Sequence, residues 1–196
     1  MDFSSWIGNS VTRHDTITKR MVDHFKDSLA PHCFAGQPVP PGLFWCLAPD
    51  VVAADQLGGD GHSKLGGFLP EIPYERRMWA GGWLEFHGQF AVGDEVQKTS
   101  RIDDITFKSG RSGNLCFIAV MHEFSVADRL MLRERHNVVY REFVSPAATQ
   151  PAPANDPAPA HRWHVDANPV MLFRYSALTF NGHRIHYDLP YSINVE

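Results

Sequence analysis

Alternation of apolar and polar positions dominates the middle of the chain. From Met78, the runs MWAGGWLEFHGQF, EVQKTSRIDDITFK, NLCFIAVMHEFS and LMLRERHNVVYR alternate or are rich in β-formers. Gly93-Asp94 and the SGRSG stretch separate the first three, the pattern of an antiparallel meander of four strands. Earlier in the chain the period changes. Ile17, Met21, Val22, Phe25 and Leu29 share one face at helical spacing, and Asp15 or Thr16 is placed to cap that helix. One helix followed by a meander predicts an α+β unit in which the sheet wraps the helix.

Between helix and strands, Pro31 to Tyr74 is dense in Pro and Gly, with PVPPG and LGGDG inside it, and reads as long loops of the kind that line pockets. GGDG is followed by no Lys-Ser/Thr and no helical pattern, which argues against a phosphate loop. The clearest boundary is Ser145 to Ala160, SPAATQPAPANDPAPA, where alternating Pro and Ala build neither helix nor strand ladder. This linker divides a unit of residues 1–144 from a tail of residues 161–196 that is too short to bury a core alone. The tail opens with HRWHVDANPVMLFRYSALT, strand-like toward its end, and continues as FNGHRIHYDLPYSINVE, where Thr179 or Asn181 is placed to cap a helix.

A formal net charge of -4 and a pI near 6.2 leave no basic face for a run of phosphates, which excludes nucleic-acid binding as the expected role. Cys33, Cys46 and Cys116 are odd in number and lack CxxC spacing, pointing to a reducing compartment. With no signal-like start and no run long enough for a membrane span, the expectation is a cytoplasmic protein without membrane attachment.

The chemistry concentrates in ALTFNGHRIHYD, where Asn181 and His186 stand five positions apart across a loop and the start of the expected helix. Adding water to an enoyl thioester needs a base for water, a proton donor for the α-carbon and N–H donors for the thioester oxygen. A loop entering a helix supplies all three. The segment resembles the hydratase-2 motif of MaoC-like enzymes: Asp, any residue, Asn, Pro, an aliphatic, His, any residue, Asp. Asn181 stands at the position of the catalytic Asp, Gly182 at the free position, His183 at that of Asn and Arg184 at that of Pro. Ile185, His186 and Asp188 keep the aliphatic, the catalytic His and the final Asp. The longer string LFRYSALTFNGHRIHYDLPY is similar to the subgroup of hydroxyacyl-thioester dehydratases and of mesaconyl-CoA and itaconyl-CoA hydratases. RRMWAGGWLEFHGQFAVGDEV and ITFKSGRSGNLCFIAVMHEF resemble the first hot dog of that double-hot-dog subgroup, which shapes the acyl pocket and has no catalytic dyad.

The resemblance implies a hot-dog fold, its first repeat complete and its second partial, and hydration of an enoyl-CoA or dehydration of a 3-hydroxyacyl-CoA. A short branched dicarboxylyl-CoA such as mesaconyl-CoA or itaconyl-CoA is the expected substrate, with no metal or redox cofactor and CoA present only as part of the substrate. An amide orients water but does not take its proton, so His186 is the expected base and Asn181 its water-holding partner. Gly182 and His183 are placed near the thioester oxygen. Arg174 and Arg184 are candidates for an acyl carboxylate or the CoA phosphates, with pairing to Asp166 or Asp188 as the alternative. Arg76, Arg77, Lys108 and Arg111 are weaker phosphate candidates, and Trp79, Trp83 and Phe86 are expected in the core. His183, His186 and Asp188 as metal ligands find no matching Cys/His pair at suitable spacing. Family members continue into the rest of a second hot dog, so the expectation is a homo-oligomer, a complementing chain, or a piece of a longer product. A non-catalytic partner subunit and an acyl-CoA thioesterase are the rival readings.

Overall fold

The computed structural model describes residues 2–33, 36–74, 76–110, 113–142 and 160–194. Five antiparallel strands form one sheet: β1 (Ser10–Thr16), β2 (Arg76–Phe86), β3 (Glu95–Gly110), β4 (Gly113–Val126) and β5 (Arg129–Arg141). Their order is β1-β3-β4-β5-β2. The expected strand runs are all present, but only β3, β4 and β5 form a meander. β2 crosses over and pairs with β5, from Arg76 opposite Arg141 to Phe86 opposite Leu132. It is therefore an edge strand, and Trp79, Trp83 and Phe86 are 69%, 43% and 51% exposed rather than core. β1 is not legible in the sequence because SVTRHDT carries a single large apolar residue; its pairing with β3 defines it.

The helix α1 (Lys19–Leu29) begins later than the pattern implied. Asp15 and Thr16 belong to β1, and Thr18 is the cap, its hydroxyl accepting from the Met21 N–H at 3.1 Å. Val22 and Phe25 point into a core with Ile17, Leu43, Phe44, Leu47, Val96, Phe124 and Leu132. The 3-10 turn at Pro41–Cys46 thus contributes as much of this core as the helix does. A second cluster of Ile102, Cys116, Ile118, Val120, Val138 and Tyr140 lies further along the same strands. The Pro31–Tyr74 stretch holds only two short 3-10 turns and no strand among its described residues, as its Pro and Gly content dictates.

The Pro/Ala boundary from residue 145 lies, up to residue 159, outside the described residues. Beyond it the tail differs from expectation. PVMLFRYSALT is not strand but the helix α2 (Pro169–Thr179), with Asn168 accepting from the N–H groups of Val170 and Met171 and Pro169 in the first turn. Apolar residues spaced at both periods made this stretch ambiguous; the cap decides it. Tyr175 and Leu178 of α2 pack against the α1 core. No helix among the described residues is long and apolar enough to cross a membrane.

Candidate active site

The chemistry-bearing segment follows a helix instead of starting one. Phe180, at φ 52°, takes the left-handed conformation that ends α2, and Ser176 O accepts from the N–H groups of both Phe180 and Asn181. The chain then turns through Asn181 and Gly182 into a single 3-10 turn, Arg184–His186, and the short helix α3 (Leu189–Asn194). Thr179, expected as a possible cap, instead bonds back to Tyr175 O within α2.

Contacts made by this loop explain its shape. Asn181 Oδ1 accepts from the His183 N–H at 3.0 Å, which leaves the amide NH2 as its free end. Gly182 O accepts from the Tyr187 hydroxyl at 2.9 Å. Arg184 donates to Asp188 Oδ2 from Nε and Nη2, at 3.0 and 2.8 Å, and from Nη1 to Gly59 O at 3.1 Å. The Asp188 pairing foreseen for Arg184 is present, and its guanidinium ties two loops together. Arg174 lies exposed on α2, pairing with neither Asp166 nor Asp188.

The second loop at the site is GGDG, whose pattern argued against a phosphate loop and pointed to nothing else. It packs directly on the motif: Arg184 N–H donates to Asp60 O at 2.9 Å, and a Cβ on Gly61, itself at φ 91°, would run into Gly182 O. Only glycine permits that approach. The same turn carries Asp60 and His62, whose Oδ2 and Nδ1 lie 2.8 Å apart, while Asp60 Oδ1 accepts from the His62 N–H. The His62 ring lies 4.1 Å from that of His183, which in turn meets His186 edge-on at 5.5 Å. Three imidazoles from two loops thus stand in a row. An Asp-Gly-His triplet beside Gly-rich turns was the available signal; nothing local says which distant loop it will face.

Electrostatics separate these groups. His183 is 8% exposed, and burial, then the neighbouring His62, push its pKa down to about 4. Burial and His62 also lower that of His186. The hydrogen bond from His62 holds the Asp60 carboxyl far below the usual carboxylate range. Near neutral pH His183 and His186 are both uncharged imidazoles; burial makes His183 resist protonation, which leaves His186 as the proton acceptor of the loop. Asp60, His62 and His183 also offer three ligand atoms within 4.8 Å of one another, a metal-compatible grouping that spacing alone did not reveal.

A second polar group lies on the sheet. His122, Glu134 and His136 point to the same face as Phe124 and Leu132 on one side and Val120 and Val138 on the other. Glu134 is 5% exposed and accepts from His136 at 2.7 Å and from Trp45 Nε1 at 2.9 Å; His122 Nδ1 meets the Ser100 hydroxyl at 2.7 Å. These bonds make a satisfied network within the core. Of the weaker phosphate candidates, Lys108 sits over the Phe117 ring and Arg111 lies outside the described residues.

The profile of hydroxyacyl-thioester dehydratase type 2 matches residues 42–196, which include both loops of the site. The chain belongs to that family. Along its whole length it is 39% identical to the mesaconyl-C(4)-CoA hydratase of Chloroflexus aurantiacus, of which it covers 71%. Over 95% of its length it is 24% identical to the mitochondrial hydroxyacyl-thioester dehydratase type 2 of Schizosaccharomyces pombe, covering 72% of that protein. Among solved structures, HtdX of Mycobacterium tuberculosis superposes with a TM-score of 0.59 at 15% identity, over 94% of this chain and 68% of that one. A MaoC-like dehydratase from Phytophthora capsici does so with a TM-score of 0.55 at 13% identity, over 96% and 67%. The architecture is the hot-dog fold expected, and family membership places the chain among the hydro-lyases, as a hydratase/dehydratase of CoA thioesters.

Proposed function

We propose that this chain hydrates a short branched dicarboxylyl-CoA of the mesaconyl or itaconyl type, and dehydrates the corresponding 3-hydroxyacyl-CoA. The observation that carries the reading is similarity along the whole of this chain to a mesaconyl-C(4)-CoA hydratase, together with a loop that carries both Asn181 and His186, the latter with its pKa lowered by burial. His186 takes the proton of water as the oxygen bonds to the β-carbon. The free NH2 of Asn181 holds that water, and the N–H of Gly182 faces the thioester oxygen as enolate character grows. His183, buried behind them, sets the spacing of the loop. Arg174, exposed and outside any ion pair among the described residues, and Arg77, near enough to His183 to influence its charge, are the cations that would meet an acyl carboxylate or a CoA phosphate.

The site works as part of an assembly, through a second copy or a complementing chain. Phe173, Phe180, Leu189 and Ile193, next to the motif, are 64%, 60%, 69% and 70% exposed, an apolar surface that favours cover.

Incubation with mesaconyl-CoA, itaconyl-CoA and crotonyl-CoA tests the reading. Loss of enoyl absorbance without release of free thiol is the expected result, fastest with a branched dicarboxylyl substrate. Release of thiol means thioesterase, and binding without turnover means a non-catalytic subunit. His186→Ala should remove at least ~100-fold of the hydration rate, the usual contribution of one positioned acid or base.

A further inference from the structure

The hydratase reading leaves one chemical requirement without a residue. Hydration needs a group that takes a proton from water and one that gives a proton to the α-carbon, and Asn181 can do neither because its amide does not ionise. On the motif loop itself only His186 remains for both tasks, since His183 is buried and resists protonation.

The loop at Gly58–Ser63 supplies another imidazole. His62 is held on two sides by one carboxylate: its N–H and its Nδ1 meet the two oxygens of Asp60 at 3.0 and 2.8 Å. That arrangement leaves Nε2 as the free nitrogen; it forms no hydrogen bond among the described residues. The side chain is 26% accessible, so it reaches solvent, while the ring lies 4.1 Å from His183 on the side of the motif loop. Besides burial, the nearby His62 lowers the pKa of His186. Two backbone features keep the loop there, the Arg184 N–H to Asp60 O bond and the glycine-to-glycine approach of Gly61 and Gly182. A histidine pinned by a carboxylate and packed against the motif loop from a glycine-built turn is more than a surface ion pair requires.

We infer that His62, oriented by Asp60, is the second proton-transfer group of this hydratase and takes the place left by the Asn at position 181. The inference rests on the hydratase reading above. In hydration, the water oxygen bonds to the β-carbon while its proton passes to His186. The π pair of the double bond moves onto the α-carbon, which takes a proton from protonated His62, whose charge faces the Asp60 carboxylate. Exchange with solvent then returns a proton from His186 to His62. Dehydration runs the same transfers in reverse.

Steady-state hydration by the full chain is measured against pH for the wild type, His62→Gln and Asp60→Asn, after each shows a folded circular-dichroism spectrum. In the wild type kcat/KM falls at low pH as the base is protonated and at high pH as the acid is lost. His62→Gln should reduce kcat by ~100-fold or more and abolish the high-pH limb, with KM changed little. Asp60→Asn, which removes the carboxylate that orients the His62 ring, should retain partial activity with kcat between those of the wild type and His62→Gln. Should His62→Gln not fold, His62→Gly with added imidazole replaces it, and recovery of turnover is expected. A variant within about threefold of the wild type, with an unchanged pH profile, overturns the inference while leaving the hydratase reading standing. A wild type that turns over no enoyl-CoA overturns both. Full activity in EDTA is expected; activity lost in EDTA and restored by zinc assigns Asp60, His62 and His183 to a metal and overturns the proton role.

Discussion

Burial, more than charge pairing, sets the protonation of His122, His183 and His186. His122 shows this most strongly: desolvation, then Lys98 and His136, push its pKa down to about 3, with Glu134 opposing. Glu134 is itself buried, which works against its charge, yet its bonds to His136 and Trp45 keep its carboxyl below the ordinary range. For a histidine the direction matters. The unfolded chain binds a proton on His122 below about pH 6.5, whereas the folded protein refuses it until about pH 3, so this residue lowers stability as pH falls through that window and is neutral above it. His122→Gln should therefore cost stability at pH 7, where the Ser100 bond is weakened, and cost less at pH 4, where the wild type carries the protonation penalty. Thermal melts of both proteins at the two pH values check this; a gap that stays constant or widens toward acid contradicts it.

At the scale of elements, two loops separated by more than a hundred residues depend on each other's backbone. Gly61 is the sharpest case, with φ 91° and its α-carbon facing Gly182 O. Gly61→Ala adds a left-handed penalty of ~1 kcal/mol and a steric clash with the carbonyl, so the loops must separate. The expected outcome is a melting temperature lowered by at least ~2 °C and a hydration rate reduced at least tenfold, because His62 and His183 move apart. Gly59→Ala is the control, since nothing lies within 4 Å of the place its methyl group would occupy, and it should leave the melting temperature nearly unchanged. The Arg184 side chain reinforces the same junction through Asp188 and Gly59 O. Its role as a brace was not separable from a substrate-binding role until the loops were seen together.

Across the whole molecule, exposed apolar residues gather on two features, the edge strand β2 and the α2–α3 segment. Trp79 on the first is 69% exposed, and Phe173 and Ile193 on the second are 64% and 70% exposed. Contiguous apolar surfaces of this kind are rarely left facing water. Sedimentation of the purified chain should show a dimer or larger species, and the double change Phe173→Asp with Ile193→Asp should shift it toward monomer. A wild type that sediments as a monomer at micromolar concentration contradicts the proposed assembly.

Period and punctuation in the sequence determined the four long strands, the apolar face of α1 and the loop character of residues 31–74, because each depends on neighbours a few positions away. The motif string determined the family in the same local manner, down to His186 and Asp188. Tertiary structure alone decided which strand sits at the edge, and so turned Trp79 and Phe86 outward. It also decided that PVMLFRYSALT is a helix, where short-range periodicity was ambiguous and the Asn168 cap and packing against α1 tipped the balance. Above all it brought Asp60 and His62 to His183. That meeting depends on two glycine backbones touching across a long sequence separation, and no residue pattern within either loop encodes where the other will lie.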